Sequence, residues 1–450
     1  MPPSTPGFLS RHSSFAVLIG FALIAVLLQL PLILNPGYFS HDELQWAARA
    51  EVAPGMSLPW TSWWDWQTFQ FRPLTFNVWL FLSHSLFHAP MAYHALWVAL
   101  GVGNAVLLLR LMQRLNIAMV PALLFAFAFV LGPYAAFTDG WVATLADLLW
   151  VGFGLILAHA LLWAGTHPAR RWPACALAFV LTTLALLSKE SGIVLPALIA
   201  LAWLLSGRPR LLRDAMIFSA LPVLAYLALR LNVILFAPRA AGVYSWSLLS
   251  IPRQWLLYQV FPLLPSLSEI NSMLTMSTRH LLLAGVLWLA LTIGVFRVHA
   301  RAGWLFLLGG TIALGPVLLL ETPSDQYGYG YAAITMTALA WAWPAMSRAG
   351  RSLAVLFVVI GVWHGINVQR ELQHDGQLQA RFSPALAQAV AASRTPIRLR
   401  LPTDHPWVYQ RLTHEIPSYD GVAIGDRVQV VDDGEKADFV IAKDGGIKAP

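Results

Sequence analysis

Residues 13–44 read SSFAVLIGFALIAVLLQLPLILNPGYFSHDEL: an apolar run from Ser13 to Leu34, a turn, then two adjacent carboxylates, Asp42 and Glu43. A helix of about 20 residues crosses a hydrocarbon core of about 30 Å, so the run reads as a membrane span. Arg11 and His12 precede it as they would in a signal peptide. The run is too long for a typical signal h-region, however, and no small-residue cleavage site follows, so a retained first helix is expected. Two acids at the mouth of such a helix are costly unless they have work to do.

The rest of the chain repeats the apolar theme. Of 450 residues, 58% are hydrophobic and 11% charged, with mean hydropathy +0.62. A soluble domain carries about 25% charge. Apolar stretches fall at 13–34, 91–112, 118–137, 142–164, 172–188, 191–206, 214–236, 279–296, 302–320, 330–346 and 352–368. The run 73–90 contains Asn77, His84 and His88 and begins at Arg72-Pro73. If it dips into the outer leaflet without crossing, and the N-terminus is cytoplasmic, then Arg110 and Arg114, Arg170 and Arg171, Arg208, Arg210 and Arg213, Arg297 and Arg301, and Arg348 and Arg351 all become cytoplasmic. That is the bias of inner-membrane proteins. The expectation is a multi-pass protein of a bacterial inner (plasma) membrane with about 11 transmembrane helices plus juxtamembrane helices. The net charge of +7 is then topology signalling, and no nucleic-acid partner is expected. Cys175 is the one cysteine, so no disulfide can form within the chain.

Two domains are expected. Residues 1–368 form the membrane domain, with outer loops at 35–90 and 237–278. Residues 369–450 form a small soluble α/β domain on the periplasmic side. Alternating segments there (397–401, 428–431, 438–441) predict strands, with a helix around 406–416.

The outer turns hold the candidate site. Ser40 and Glu43 match a capping box, so Glu43 has a structural alternative as a cap; Asp42 has no such duty and is the candidate general base. Arg72, before a proline, is biased to extended geometry at a turn entering the membrane. It is either a snorkelling side chain or a forked cation for a lipid-linked phosphate. Asp139 lies in the turn Thr138-Asp139-Gly140-Trp141, as turn former or site-orienting acid. Asp147 reads as a buried interhelical contact. Lys189 and Glu190 interrupt an apolar stretch: they pair with each other or a neighbour, or Lys189 supplies a second phosphate cation. His41 could ligate a divalent metal, but a lone histidine beside two acids has weak ligand spacing. Trp60, Trp63, Trp64, Trp66 and Phe69 read as an interfacial belt, and aromatic faces also stack on sugars. In the 237–278 loop, Tyr244, Trp246, Arg253, Tyr258 and Glu269 could cover a site, with Arg253 a further candidate phosphate contact. Pro252, Pro262 and Pro265 predict short surface helices there. Arg279 and Tyr327 are further candidates.

In order and spacing, the chain resembles the GT-C class of membrane glycosyltransferases, closest to the protein O-mannosyltransferase-like group (glycosyltransferase family 39), including its TPR-bearing transmembrane relatives. The resemblance rests on Asp42-Glu43 after the first helix, Arg72-Pro73-Leu74, Gly132-Pro133-Tyr134, Thr138-Asp139-Gly140-Trp141-Val142, Ala146-Asp147-Leu148-Leu149 and Leu187-Ser188-Lys189-Glu190. It covers roughly residues 13–205, with similar hydropathy to about 368. Two departures stand out: no TPR array follows, and Gly132-Pro133 stands where relatives often carry His-Pro.

The resemblance implies a sugar taken from a polyprenyl-phosphate donor at the outer face. Asp42 would deprotonate the acceptor hydroxyl, with Glu43 beside it. Arg72 and Lys189 would hold the departing phosphate, and Asp139 would orient the site with Glu190 nearby. The acceptor would be a protein, lipid or glycan. These residues assign no cofactor, and a divalent metal is left open. Two other classes are a lipid-linked-sugar transporter or flippase, which would spread charges through the bilayer depth, and a non-catalytic envelope scaffold.

Overall fold

The computed structural model of the protein describes residues 8–52, 63–68, 70–236, 245–402, 406–413, 416–432, 434–442 and 444–450, with backbone alone for 8–14. Seven helices among them are long and apolar enough to cross a membrane: Pro90–Arg114, Val142–Gly165, Pro168–Ser188, Arg210–Phe236, Thr278–Val298, Ala300–Leu319 and Arg348–Ala392. The chain is a multi-pass, mostly helical membrane protein with a small C-terminal sheet unit.

The other four apolar runs are short or broken, each for a local reason. The first helix, Phe8–Leu28, stops before a short Leu30–Ile33 helix, because Pro31 lacks an N–H and its ring opposes the preceding turn. Met119–Val130 and Pro133–Gly140 meet at 51°. Gly132 is extended there, and Pro133 opens the new helix at a position where no N–H is needed. The break expected at 138–141 therefore falls earlier, and Asp139 lies within the second helix rather than in a turn. The run after Lys189 opens as a 3-10 turn, Glu190–Val194, before Leu195–Leu205. Tyr329–Ala342 has 14 residues.

Pro73–Leu86 also has 14 residues, which span about 21 Å, short of the bilayer core. It packs on the helix His41–Val52, with the Trp46 ring 4.7 Å from Trp79 and 5.1 Å from Phe76. Short helical turns fill the second long loop, at Leu248–Ser250, Ile251–Val260, Phe261–Leu263 and Ile270–Thr275.

One 45-residue helix, Arg348–Ala392, ties the two ends of the molecule together. Its start is capped by Ser347, whose hydroxyl accepts the Gly350 N–H. Gly365 lets it approach the Leu131–Gly132 break so closely that a Cβ would strike the Leu131 carbonyl. Higher up, Asn35 Nδ2 donates to the Leu372 carbonyl at 3.0 Å and the Tyr38 N–H donates to Gln379 Oε1 at 2.9 Å.

The helix carries residue 369 in its interior and ends just before the sheet. Strands β1 (Ile397–Arg400), β2 (Ser418–Tyr419), β3 (Val422–Ala423), β4 (Val428–Val431), β5 (Phe439–Ile441) and β6 (Ile447–Lys448) form a four-stranded sheet, ordered β4-β1-β5-β6, and a β2-β3 hairpin. β1 runs parallel to β4 and β5, and β6 closes the edge antiparallel to β5. Ile397 and Leu399 point inward by strand alternation. With Val408, Tyr409 and Leu412 they share one apolar core with Phe382, Leu386 and Val390 of the long helix. The C-terminal unit is thus packed on the bundle rather than tethered to it.

Candidate functional site

Ser40 opens the helix His41–Val52 and forms the capping box its sequence predicts. Its N–H and hydroxyl both donate to Glu43 Oε2, at 3.0 and 2.8 Å, and its hydroxyl oxygen accepts the Asp42 N–H at 3.2 Å. Trp141 Nε1 donates to the same hydroxyl at 3.0 Å, fixing the cap to the start of the Val142–Gly165 segment. The cap separates the two acids. Glu43 is 1% exposed, and burial, then the charge of Asp42, pushes it up to about 7. The Asp42 side chain is 35% exposed, with His41 Nε2 3.7 Å from its Oδ1. Burial raises Asp42 too, against the opposing charges of His41, Arg411, Arg72 and Arg49.

Arg72 leads into Pro73–Leu86, and Thr75 Oγ1 donates to the Ser188 carbonyl at 2.9 Å, which brings the start of that helix to the Lys189-Glu190 turn. Lys189 is extended, so its side chain and that of Glu190 leave the backbone on opposite sides. Arg72 donates through Nε and Nη2 to Glu190 Oε2, at 2.9 and 2.8 Å. Lys189 Nζ reaches both oxygens of Asp147 at 2.5 Å and lies 4.4 Å from the centre of the Tyr327 ring. Lys189 and Asp147 are each 3% exposed, against 18% for Arg72 and 30% for Glu190. Burial raises Glu190, but the Arg72 guanidinium, a backbone hydrogen bond and the Lys189 charge together hold the carboxyl below its ordinary value. Burial lowers Lys189, with Asp147 opposing and Arg72 adding to the fall.

The structure therefore brings Arg72 to Glu190 and Lys189 to Asp147 at one turn, while Asp42, above the buried Glu43, has Arg72 among the charges acting on it. Asp139 is fully buried, packed against Gly101 with Gln29 as a polar neighbour. Arg253 sits elsewhere, donating to the Glu321 carbonyl at 2.7 Å. Tyr258 donates to the Ser324 carbonyl at 3.1 Å, Trp246 bridges to Leu320, and Arg279 is exposed at the start of its helix. The Trp66 ring lies 5.1 Å from that of Phe71, tilted at 46°. Trp60, Phe69 and Tyr244 lie outside the described residues. Among the described residues, no group of three or more His, Cys, Asp or Glu converges as a metal ion would require.

Two cations were not singled out in the sequence. Arg230, inside the apolar helix Arg210–Phe236, donates through Nη1 to the carbonyls of Trp66 and Thr68, at 2.7 and 2.6 Å, and lies over Phe71. It fixes the segment that carries Arg72. A lone arginine within an apolar run was the available signal. Arg411, in the C-terminal helix Pro406–Thr413, pairs with Glu269 at 2.9 Å and lies over Phe39.

No protein-family model matches this chain, and no curated protein matches it. Among solved structures, it is similar to a cryo-electron-microscopy structure of the arabinofuranosyltransferase AftD from Mycobacteria. The TM-score is 0.48 and the identity 16%, over 86% of this chain and 29% of that one. The chain spans less than a third of the length of that protein.

Proposed function

We propose that this chain is a membrane glycosyltransferase moving a sugar from a polyprenyl-phosphate-linked donor to an acceptor hydroxyl, with Asp42 as general base. The observation that carries the reading is the placement of a partly exposed carboxylate, Asp42, within electrostatic reach of a partly exposed guanidinium, Arg72. A base and a cation of this kind are what a displacement at a sugar phosphate uses.

In that displacement the acceptor O–H gives its proton to Asp42, and the oxygen forms a bond to the anomeric carbon. The bond from that carbon to the phosphate oxygen breaks, and polyprenyl phosphate leaves with the electron pair. Arg72 is the better phosphate contact because its fork fits phosphate and its partner Glu190 is accessible to exchange. Lys189 is already neutralised by Asp147, so its part is to hold the turn that positions Glu190. Glu43 holds the cap beneath Asp42. The site would face the periplasm of a bacterial inner membrane, with the N-terminus cytoplasmic, in keeping with the arginine bias of the loops.

The test is purified protein in lipid nanodiscs, given a radiolabelled polyprenyl-phosphate sugar and membrane or envelope extract as acceptor. Wild type should release polyprenyl phosphate and label an acceptor. Asp42→Asn should lower the rate by about 10²–10⁴-fold while inserting normally. Full activity in that variant sinks the base assignment; no turnover of any lipid-linked sugar by wild type sinks the function.

A further inference from the structure

The C-terminal unit has no part in the chemistry just described, yet it delivers a charged side chain to the Asp42 face. The guanidinium of Arg411 lies 4.0 Å from the centre of the Phe39 ring and 4.6 Å from that of Trp407. Its Nη2 donates to Glu269 Oε1 at 2.9 Å. Its Nη1 is buried without a hydrogen-bond partner among the described residues. Phe39 in turn packs edge-on against Phe137 and Trp141. Trp141 donates to Ser40, and the Ser40 hydroxyl accepts the Asp42 N–H. A continuous set of contacts runs from Arg411 through Phe39 and Ser40 to the residue that carries the base.

The same unit is docked around this point. Ser418 Oγ donates to Glu51 Oε2 at 3.3 Å, and His88 Nδ1 lies 3.7 Å from Asp420 Oδ1. The dock therefore grips both ends of the helix His41–Val52 and the end of Pro73–Leu86.

We propose that Arg411 is a positioning residue of the Asp42 site, clamping the Phe39–Ser40 segment and keeping a positive charge near the Asp42 carboxylate. This rests on the reading of Asp42 as the base. The charged groups facing Asp42 are His41 and Arg49 on its own helix, its neighbour Glu43, Arg72, and Arg411 from the C-terminal unit. Those facing Arg411 are Glu269, Asp325, Asp375 and Asp42. A guanidinium lying over two rings and paired with a carboxylate keeps its charge and is held in one place, which a flexible surface arginine is not. Holding Asp42 ionised is what a base needs before the acceptor arrives.

The test uses the full-length protein in nanodiscs and an apolar carbodiimide, which modifies protonated carboxyls, with Asp42 labelling read by mass spectrometry across pH. Arg411→Gln should move the labelling midpoint up by about one pH unit, the lower end of what an adjacent arginine does to a carboxylate. Arg411→Lys should keep the wild-type midpoint. Glu269→Gln loosens the same dock but leaves the cation, and should not raise the midpoint. An unchanged midpoint in Arg411→Gln, or a matching upward shift in Arg411→Lys or Glu269→Gln, overturns the proposal. Labelling needs no sugar donor. An inactive wild type would thus defeat the proposed function and leave this result readable.

Discussion

The doublets Asp42-Glu43 and Lys189-Glu190 divide their work in the same way by different means. In each, one residue is buried and its neighbour reaches the rim: Glu43 under Asp42, Lys189 under Glu190. The buried members solve the cost of a charge away from water differently. Lys189 is met by a full counter-charge in Asp147, with both carboxylate oxygens engaged. Among the described residues Glu43 has no cation in contact; it accepts two hydrogen bonds from Ser40 and binds a proton more readily than an ordinary glutamate. A helix supplies the separation in the first doublet and an extended residue in the second. Adjacent charges in a sequence are therefore not one feature, and only the local backbone says which of them reaches the rim.

Substitutions centred on Lys189, Glu43 and Arg72 can break this comparison. The largest effect on stability is expected at Lys189. Lys189→Met leaves Asp147 buried and alone, at a cost of about 3–5 kcal/mol, and adding Asp147→Leu should recover most of it. Thermal unfolding in nanodiscs reads both. A single variant no worse than the double would show that Lys189 is not committed to that pair.

Next comes Glu43. Its folded value is raised from the ordinary 4.5 to about 7, so the folded state holds the proton more tightly than the unfolded one. The stabilisation is full below pH 4.5 and is lost as pH rises through 7, a change of about 3 kcal/mol. Glu43→Gln should flatten the melting temperature across that window. A wild-type melting temperature that rises with pH over the same range would mean that Glu43 is charged in the fold.

The smallest effect on stability is expected at Arg72. Arg72→Gln should cost under about 1 kcal/mol, as partly exposed ion pairs do. Transfer should nevertheless fall by about 10²–10³-fold, the loss typical of one donor to a developing charge. A variant that unfolds, or one that keeps full transfer, would place Arg72 with Lys189 among the structural residues.

Much of this was legible in the chain. The seven full-length spans, the Ser40–Glu43 cap and the strands at 397–400, 428–431 and 439–441 follow from periodicity and local chemistry, which act over a few residues. What was not legible depends on partners far apart in the chain. Lys189 meets Asp147 from 42 residues away, Arg72 meets Glu190 across 118, and Arg411 meets Glu269 across 142. No pattern along the sequence chooses among the other acids those cations might have met. The position of the break near Asp139 was misplaced because Thr138-Asp139-Gly140 reads as a turn, whereas Gly132-Pro133 imposes one.

The Arg348–Ala392 helix adds a mechanical consequence. As 45 continuous residues it is a rod of about 67 Å, of which the membrane needs less than half. A rocking of the bundle by about 5° would swing a projecting arm of about 35 Å by about 3 Å at its tip, as much as the whole length of a hydrogen bond. Bilayer thickness, through helix tilt, thus sets the angle at which the bundle and the C-terminal unit docked on it stand together above the membrane plane.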